Sequence, residues 1–403
     1  MAGMDLYGAE ERKQVQEVLE TGCFFRYNHE HLRADRWKAR ELEAEVAQFT
    51  GAPFVHAVSS GSTAVQTALA AAGIGFGDHV IVPPFTYIAT IEAVLWAGAL
   101  PVFAEIDENL CLSVEGIRAA LTPQTKAVLL VHMCGAAADM DGITALCKQH
   151  NLTLVEDAGQ AFGAFYKGKH VGLFGKAGAV SMDFFKIITA GEGGLCLAND
   201  EETYNHMQQL SDHGHDHIGN NRGMEQHPII GTNFRLSELH AAVGLAQARK
   251  VNSIRNNNRA AKAAIRAELA QVKGVSFRPM PDPDGDSATF LNFFLPDQPT
   301  AHRAWKQLAA DGLAGFNYWY INMYHFINQW DHIKNLTSPF KMAIHHLGAP
   351  QDYHNLHLPK SQEVIGRLIS LGIKASWSVE EAKAFGAQVA QSIRKTISET
   401  AAV

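Results

Sequence analysis

The segment Ser181-Met-Asp-Phe-Phe-Lys186-Ile-Ile-Thr-Ala-Gly191-Glu-Gly-Gly194 places a lysine between the end of an apolar run and a glycine-rich turn. A lysine at a strand's end faces a cleft, where its amine can form a Schiff base with a carbonyl and afterwards carry a proton. Taken alone, such a lysine is ordinarily a solvated turn residue. A second segment, Val155-Glu-Asp157-Ala-Gly-Gln160-Ala-Phe-Gly163, puts a carboxylate at the C-terminal end of a buried strand. That is the edge where α/β sheets gather ligands, and Asp157 there can meet a cation or simply cap the next helix. A third, Ser59-Ser60-Gly61-Ser62-Thr63, runs directly into the helix-forming Ala64-Val-Gln-Thr-Ala-Leu-Ala-Ala-Ala. Hydroxyls and free N–H groups at a helix N-terminus suit a phosphate.

An amine, a carboxylate for a pyridinium nitrogen and a phosphate cradle are together what pyridoxal phosphate requires. Lys186 would hold the cofactor, and Asp157 would keep its ring nitrogen protonated. Gln160 would hydrogen-bond the phenolic oxygen. Tyr87, which closes Pro83-Pro-Phe-Thr-Tyr87, would stack on the ring. The glycines after Lys186 let backbone pass close to a bulky group.

Positioning these groups calls for an α/β fold. Short apolar runs recur at His79–Val82, Pro101–Glu105, Lys126–His132, Leu152–Glu156, Gly178–Met182 and Gly194–Ala198, with helix-length segments between most of them. Ala127-Val-Leu-Leu-Val131 shows no polar alternation, as expected of strands covered on both faces in a mostly parallel sheet. Only a loop and a turn separate the last two runs, so the end of the sheet should depart from strict alternation. Ser237 to Val272 reads as a proline-free helical stretch that links two domains. Beyond it, paired strands around the Pro279–Asp286 turn, helices at Ala301–Asp311 and Val379–Thr400, and an aromatic-rich insertion from Phe316 to Trp330 suggest a smaller α+β domain. The expected division is a large domain at 1–255 with a mostly parallel central sheet, and a C-terminal domain at 256–403.

Composition narrows the classes. The 403 residues are 47% hydrophobic and 19% charged, which suits a globular protein with a large core. Lys and Arg number 34 against 41 Asp and Glu, a net charge of −7 with no like-charge block, which disfavours nucleic acid as a partner. The five cysteines are scattered and lack CxxC spacing, arguing against disulfides or a thiolate metal site and for a reducing, cytoplasmic setting. No basic stretch followed by an apolar run opens the chain, and no membrane-spanning run follows. No membrane association is expected.

In this order, the segments resemble the DegT/DnrJ/EryC1/StrS family of sugar aminotransferases over most of the chain. The matching motifs are the phosphate loop, the PxxT-aromatic strand end, Val128–Gly135 with His132, Glu156-Asp157-Ala-Gly-Gln160, Ser181 through Lys186 followed by Gly191-Glu-Gly-Gly194, and Gly231-Thr-Asn233-Phe-Arg235. The resemblance implies the type I fold of pyridoxal-phosphate-dependent transferases, with pyridoxamine phosphate as the intermediate carrier. It also implies a homodimer with shared active sites. Asn233 would then reach the cofactor phosphate of the partner subunit, while Ser181, Gly61, Ser62 and Thr63 hold it from within. Met182, Gly159 and Phe162 depart from the commoner family residues but leave Asp157, Gln160 and Lys186 in place. Relatives that dehydrate sugars at C3 carry histidine at the lysine position, so Lys186 implies amino transfer.

Phe25-Arg-Tyr-Asn28, Asp35-Arg-Trp-Lys38, Ser211–His217, Tyr318-Trp-Tyr320 and Ile373–Trp377 resemble one branch of that family. Its members aminate the C8 aldehyde of 8-oxo-3,8-dideoxy-manno-octulosonate, a lipopolysaccharide (Kdo) sugar, with L-glutamate as donor. The alternatives are a nucleotide-linked ketohexose as acceptor, or a pyridoxal-phosphate-binding sensor without turnover. An acidic sugar and glutamate both need local cations. Arg26, Tyr27, Arg235, Tyr318 and Trp319 are candidates for holding carboxylate or hydroxyls. His213, His215 and His217 alternate, so an extended segment would put all three on one face. With no supporting cysteine or carboxylate cluster, His215 and His217 are expected in the sugar pocket rather than on a metal.

Overall fold

A computed structural model describes residues 3–219 and 221–400. Its main sheet has seven strands in the order β1-β9-β8-β5-β4-β2-β3. They are β1 (Phe54–Val58), β2 (His79–Val82), β3 (Leu100–Phe103), β4 (Thr125–Val131), β5 (Thr153–Asp157), β8 (Ala177–Ser181) and β9 (Gly194–Ala198); the short pair β6 (Phe165–Tyr166) and β7 (Lys169–His170) lies outside this sheet. β3, β2, β4, β5 and β8 pair in parallel, whereas β9 runs antiparallel to both β8 and β1. A turn rather than a crossover helix joins β8 to β9, and a connection that short can only reverse the chain. The strands run apolar and buried because helices cover both faces. The parallel pairing sets Asp157 beside Val131 and Ala179 at one edge of the sheet.

Alternation along β5 separates two acids. Asp157 is partly exposed, while its neighbour Glu156 is fully buried. Glu156 accepts hydrogen bonds from His132 Nε2 (2.9 Å), Gly172 N (2.8 Å) and Gly175 N (2.6 Å). His132 Nδ1 accepts from the Ala138 N–H, which leaves the proton on Nε2. One carboxylate thus ties β5, the end of β4 and the loop before β8 together.

The C-terminal part forms a second sheet of β10 (Ser276–Phe277), β11 (Phe290–Phe294), β12 (Phe316–Asn317) and β13 (Leu368–Gly372), in the order β10-β11-β13-β12. The expected paired strands are β10 and β11. The expected helical stretch is two helices, Glu238–Arg249 and Val251–Leu269, that meet at Lys250. Lys250 Nζ bonds Leu6 O and Glu11 Oε1, so the junction is anchored to the N-terminal segment. Ile254 packs into the large core, whereas Ala261, Ile265 and Leu269 pack with Val389 and Ile393 in a second one. The passage between cores therefore lies within one helix. No helix among the described residues is long and apolar enough to cross a membrane.

The aromatic insertion returns to the main sheet. Thr86 N donates to His325 O, Ile88 N to Tyr324 O and Ile327 N to Pro84 O, at 2.9–3.0 Å. The Pro83–Tyr87 strand end is thereby clamped by the C-terminal part of the chain.

Glu156→Ala would leave two buried donors and one partly buried donor without partners, each buried one costing about 1–3 kcal/mol. We expect a loss of about 3 kcal/mol or more in urea denaturation, with a smaller loss for Glu156→Gln. A change below about 1 kcal/mol would contradict this account of β5.

Candidate active site

Lys186 lies in the turn between β8 and β9, where its N–H bonds Asp183 O. Asp183 N in turn bonds Ser181 Oγ, so the turn is pinned to the last residue of β8. The side chain enters a cavity of about 140 Å³ lined also by Gly159, Gln160, Ser181, Thr289, Trp319 and His325. Burial pulls the Lys186 amine below the ordinary lysine value of 10.5, and Asp183 and Asp157 offset only part of that. The neutral amine, the form that attacks a carbonyl, is accordingly favoured.

Asp157 ends β5 with each carboxylate oxygen engaged once: Oδ1 accepts from Gly159 N (2.9 Å) and Oδ2 from Thr90 Oγ1 (2.7 Å). Thr90 is backed by Thr86 Oγ1 at 2.8 Å. Each oxygen keeps a further lone pair for a cation. Thr90 was not among the sequence candidates, although its place four residues after Thr86, at a helix start, was a readable signal.

The helix Gly61–Ala71 starts on a capping box. Ser60 Oγ accepts from Thr63 N at 3.1 Å, and Thr63 Oγ1 accepts from Ser60 N at 3.0 Å. The Thr63 side chain and N–H are thus taken up by the helix itself. Gly61 and Ser62 keep N–H groups without a partner among the described residues. A Cβ on Gly61 would stand 2.6 Å from Ser181 Cβ, so only glycine lets the helix end approach Ser181 this closely. The site joins an amine, an anchored carboxylate and an open helix N-terminus, and this donor set fits a phosphorylated pyridine.

The remaining candidates divide. Gln160 and Trp319 line the cavity, and Gln160 Oε1 accepts from Cys134 N at 3.2 Å. Tyr87 is half-exposed near the mouth, 5.6 Å from the His325 ring. Arg26 and Tyr318 lie elsewhere, because both are buried and spent on structure. Arg26 bonds Ala57 O and Glu43, and Tyr318 OH donates to Gly366 O. Arg235 is likewise committed, to Asp212 at 2.6 Å, and Arg222 grips the same buried carboxylate through two bonds. Burial would raise the Asp212 carboxyl, but the two arginines hold it below its ordinary value. Asn233 is exposed, outside the cavity of its own chain.

The alternating histidines do not share a strand face. His213 and His217 have φ of 56° and 54°, left-handed values that break extended backbone. His217 stacks on Tyr27 at 4.5 Å, and His215 faces Glu225 at 2.9 Å. These residues line or adjoin a separate groove with Arg26 and Glu43. Thr289, Phe290 and His325, which face Lys186, come from the C-terminal part and carried no sequence signal.

Because folding lowers the lysine pKa, the buried charge is a burden at neutral pH that disappears as pH rises through the folded value toward 10.5. In cofactor-free protein, Lys186→Met should therefore raise the thermal midpoint at pH 7, with the gain shrinking at alkaline pH. A gain independent of pH would contradict the desolvation argument. Borohydride reduction of wild-type holoprotein should trap the cofactor on Lys186, and the variant should show no adduct.

The comparisons with known proteins agree with the geometry. The model of the DegT/DnrJ/EryC1/StrS aminotransferase family matches residues 6–390. A GDP-perosamine synthase of Vibrio cholerae is 37% identical over 286 residues, 71% of this chain and 73% of that protein. A UDP-N-acetyl-3-dehydro-alpha-D-glucosamine 3-aminotransferase of Acidithiobacillus ferrooxidans is 42% identical over 208 residues, 51% of this chain and 55% of that one. Among solved structures, an aminotransferase from Psychrobacter cryohalolentis superposes with a TM-score of 0.82 at 27% identity, covering 98% of both chains. 3-Amino-5-hydroxybenzoic acid synthase does so with a TM-score of 0.80 at 26% identity, covering 96% of this chain and 97% of that one. The chain belongs to the DegT/DnrJ/EryC1/StrS aminotransferase family and is a pyridoxal-phosphate-dependent sugar aminotransferase.

Proposed function

We propose that the chain moves an amino group from L-glutamate to the carbonyl of a nucleotide-linked keto sugar, with Lys186 as the covalent anchor and proton carrier. The observation that supports the assignment is that Lys186 lines a cavity together with Gly159, which bonds Asp157, and Ser181, against which the helix start at Gly61 packs. The acceptor class follows the two curated relatives, both named for nucleotide-linked sugars. Bound pyridoxal phosphate supplies an electron sink for the carbon that loses and regains a proton.

The protein's own groups do the rest. The Lys186 amine, made easier to deprotonate by burial, takes a proton from the donor's carbon and returns one to the acceptor's. Asp157, fixed by Thr90 and Gly159, holds the proton on the ring nitrogen. Gly61 N–H, Ser62 N–H and Ser181 Oγ hold the phosphate. Gln160 serves the phenolic oxygen, and Tyr87 covers the ring. In a homodimer, the exposed Asn233 of the partner subunit completes the phosphate site. Such an enzyme works in the cytoplasm, where its sugar and glutamate are made.

A second reading, transfer to the C8 aldehyde of 8-oxo-3,8-dideoxy-manno-octulosonate, is favoured by a specific convergence. Phe25–Asn28 and Ser211–His217, two stretches that resemble that branch, meet through the Tyr27–His217 stack, with Arg222 5.5 Å from the Tyr27 ring. The clamp of residues 324–327 over Pro84–Ile88 also encloses the cleft on one side, which suits a compact acid sugar.

The purified holoenzyme with glutamate should release 2-oxoglutarate when given UDP-N-acetyl-3-dehydro-α-D-glucosamine or a GDP-linked 4-keto hexose. Release with the octulosonate alone would overturn the first reading in favour of the second. No release with any acceptor would mark a cofactor-binding protein without turnover. Asp157→Ala should cost about a hundred-fold or more in turnover, since it removes a preorganised charge partner. Thr90→Val should cost about tenfold, since it removes only one supporting bond.

A further inference from the structure

His325 shares the cavity with Lys186, yet none of the roles above uses it. Its ring is fixed on three sides. Trp319 lies 4.5 Å away and Tyr87 5.6 Å, and Nδ1 sits 2.9 Å from Asn322 Oδ1. The Tyr324 N–H also points at Asn322 Oδ1, at 2.9 Å, and a backbone N–H can only donate. That atom is therefore the amide oxygen, so His325 must present its proton on Nδ1. Nε2 is left as an unprotonated acceptor, and it makes no hydrogen bond among the described residues.

Trp319 is immobile in turn. Its Nε1 donates to Ser370 Oγ, which donates to Asn292 Oδ1, both at 2.6 Å on neighbouring strands of the second sheet. Burial first, and then the Lys186 charge, push the imidazole down to about 3. A group that weakly basic carries no proton at neutral pH, which suits hydrogen-bond acceptance rather than acid or base work.

We propose that His325 Nε2 accepts a hydrogen bond from a hydroxyl on the carbon beside the acceptor's carbonyl, so that the enzyme selects α-hydroxy aldehydes and ketones over their deoxy counterparts. The inference rests on the aminotransferase reading and narrows its substrate class. Both acceptor types considered above carry such a hydroxyl. An acceptor that a bound substrate shuts off from water discriminates when the substrate lacks the donor, because its lost hydration is then not replaced. Asn322 is a positioning residue that sets the tautomer.

The test uses the pyridoxamine form of the holoenzyme, made with glutamate and mixed in single turnover with glycolaldehyde or acetaldehyde. Wild type should consume glycolaldehyde about tenfold faster or more, and His325→Phe should bring the two rates within about threefold while slowing the glutamate half-reaction less than the glycolaldehyde one. Equal wild-type rates, including none with either aldehyde, or a preference that survives in the variant, would overturn the proposal. If the phenylalanine variant does not fold, Asn322→Ala, which releases the ring, should weaken the same preference. Failure of glutamate to generate the pyridoxamine form would sink the aminotransferase reading instead. The second arm stands apart from turnover. In 15N-histidine-labelled, cofactor-free protein, the signals lost in the variant should report a neutral Nδ1–H ring from pH 5 to 8, and an Nε2–H or charged ring would overturn the assignment.

Discussion

Removal of the Lys186 amine from water is the constraint on which the site depends. A lysine on an open turn stays charged and cannot attack a carbonyl, so the surrounding structure has to desolvate it without neutralising its usefulness. The flanking carboxylates act against that desolvation: Asp183 and Asp157 both favour the charged form, and burial prevails over them. The walls that achieve this come from separate parts of the chain, namely the loop after β5, the last residue of β8 and the C-terminal residues Thr289, Trp319 and His325. None of these could desolvate the amine alone.

A partly buried carboxylate beside that amine needs its own support. Asp157 obtains it from a backbone N–H and from a hydroxyl on a helix that follows another strand. This coupling works because β2, β4 and β5 pair in parallel, which brings the ends of β2 and β5 to one edge of the sheet. Glu156 serves the same end from the other face, since its three bonds hold β5 against its neighbours while Asp157 faces the cleft. Adjacent acids thus do different work because a strand sends successive side chains to opposite sides.

The segment from 211 to 235 shows how pairing changes the meaning of a charge. Arg222 and Arg235 both bind Asp212, which is fully buried and would be costly to leave single. Arg235, a sequence candidate for gripping a substrate carboxylate, is thereby partly satisfied within the chain. Tyr27 and His217 stack beside them and form a shaped surface separate from the Lys186 cavity.

The sequence alone determined the local chemistry: Lys186 at a strand end, Asp157 at another, small residues opening a helix, and buried strands whose unbroken apolar runs call for a covered parallel sheet. Those features are encoded within a few neighbouring residues, where backbone propensity and strand periodicity act directly. Arg26 and Tyr318 looked like ligands for the same reason, since a polar side chain shows its type in sequence but not its partner. Only the tertiary structure decided that Arg26 is spent on Glu43 and Ala57, that Thr63 caps its own helix, and that left-handed backbone at His213 and His217 breaks the histidine face. It also decided that His325 stands beside Lys186, 139 residues earlier in the chain. Contacts of such separation depend on how two sheets pack, and packing is settled by the summed burial of many side chains rather than by any short pattern.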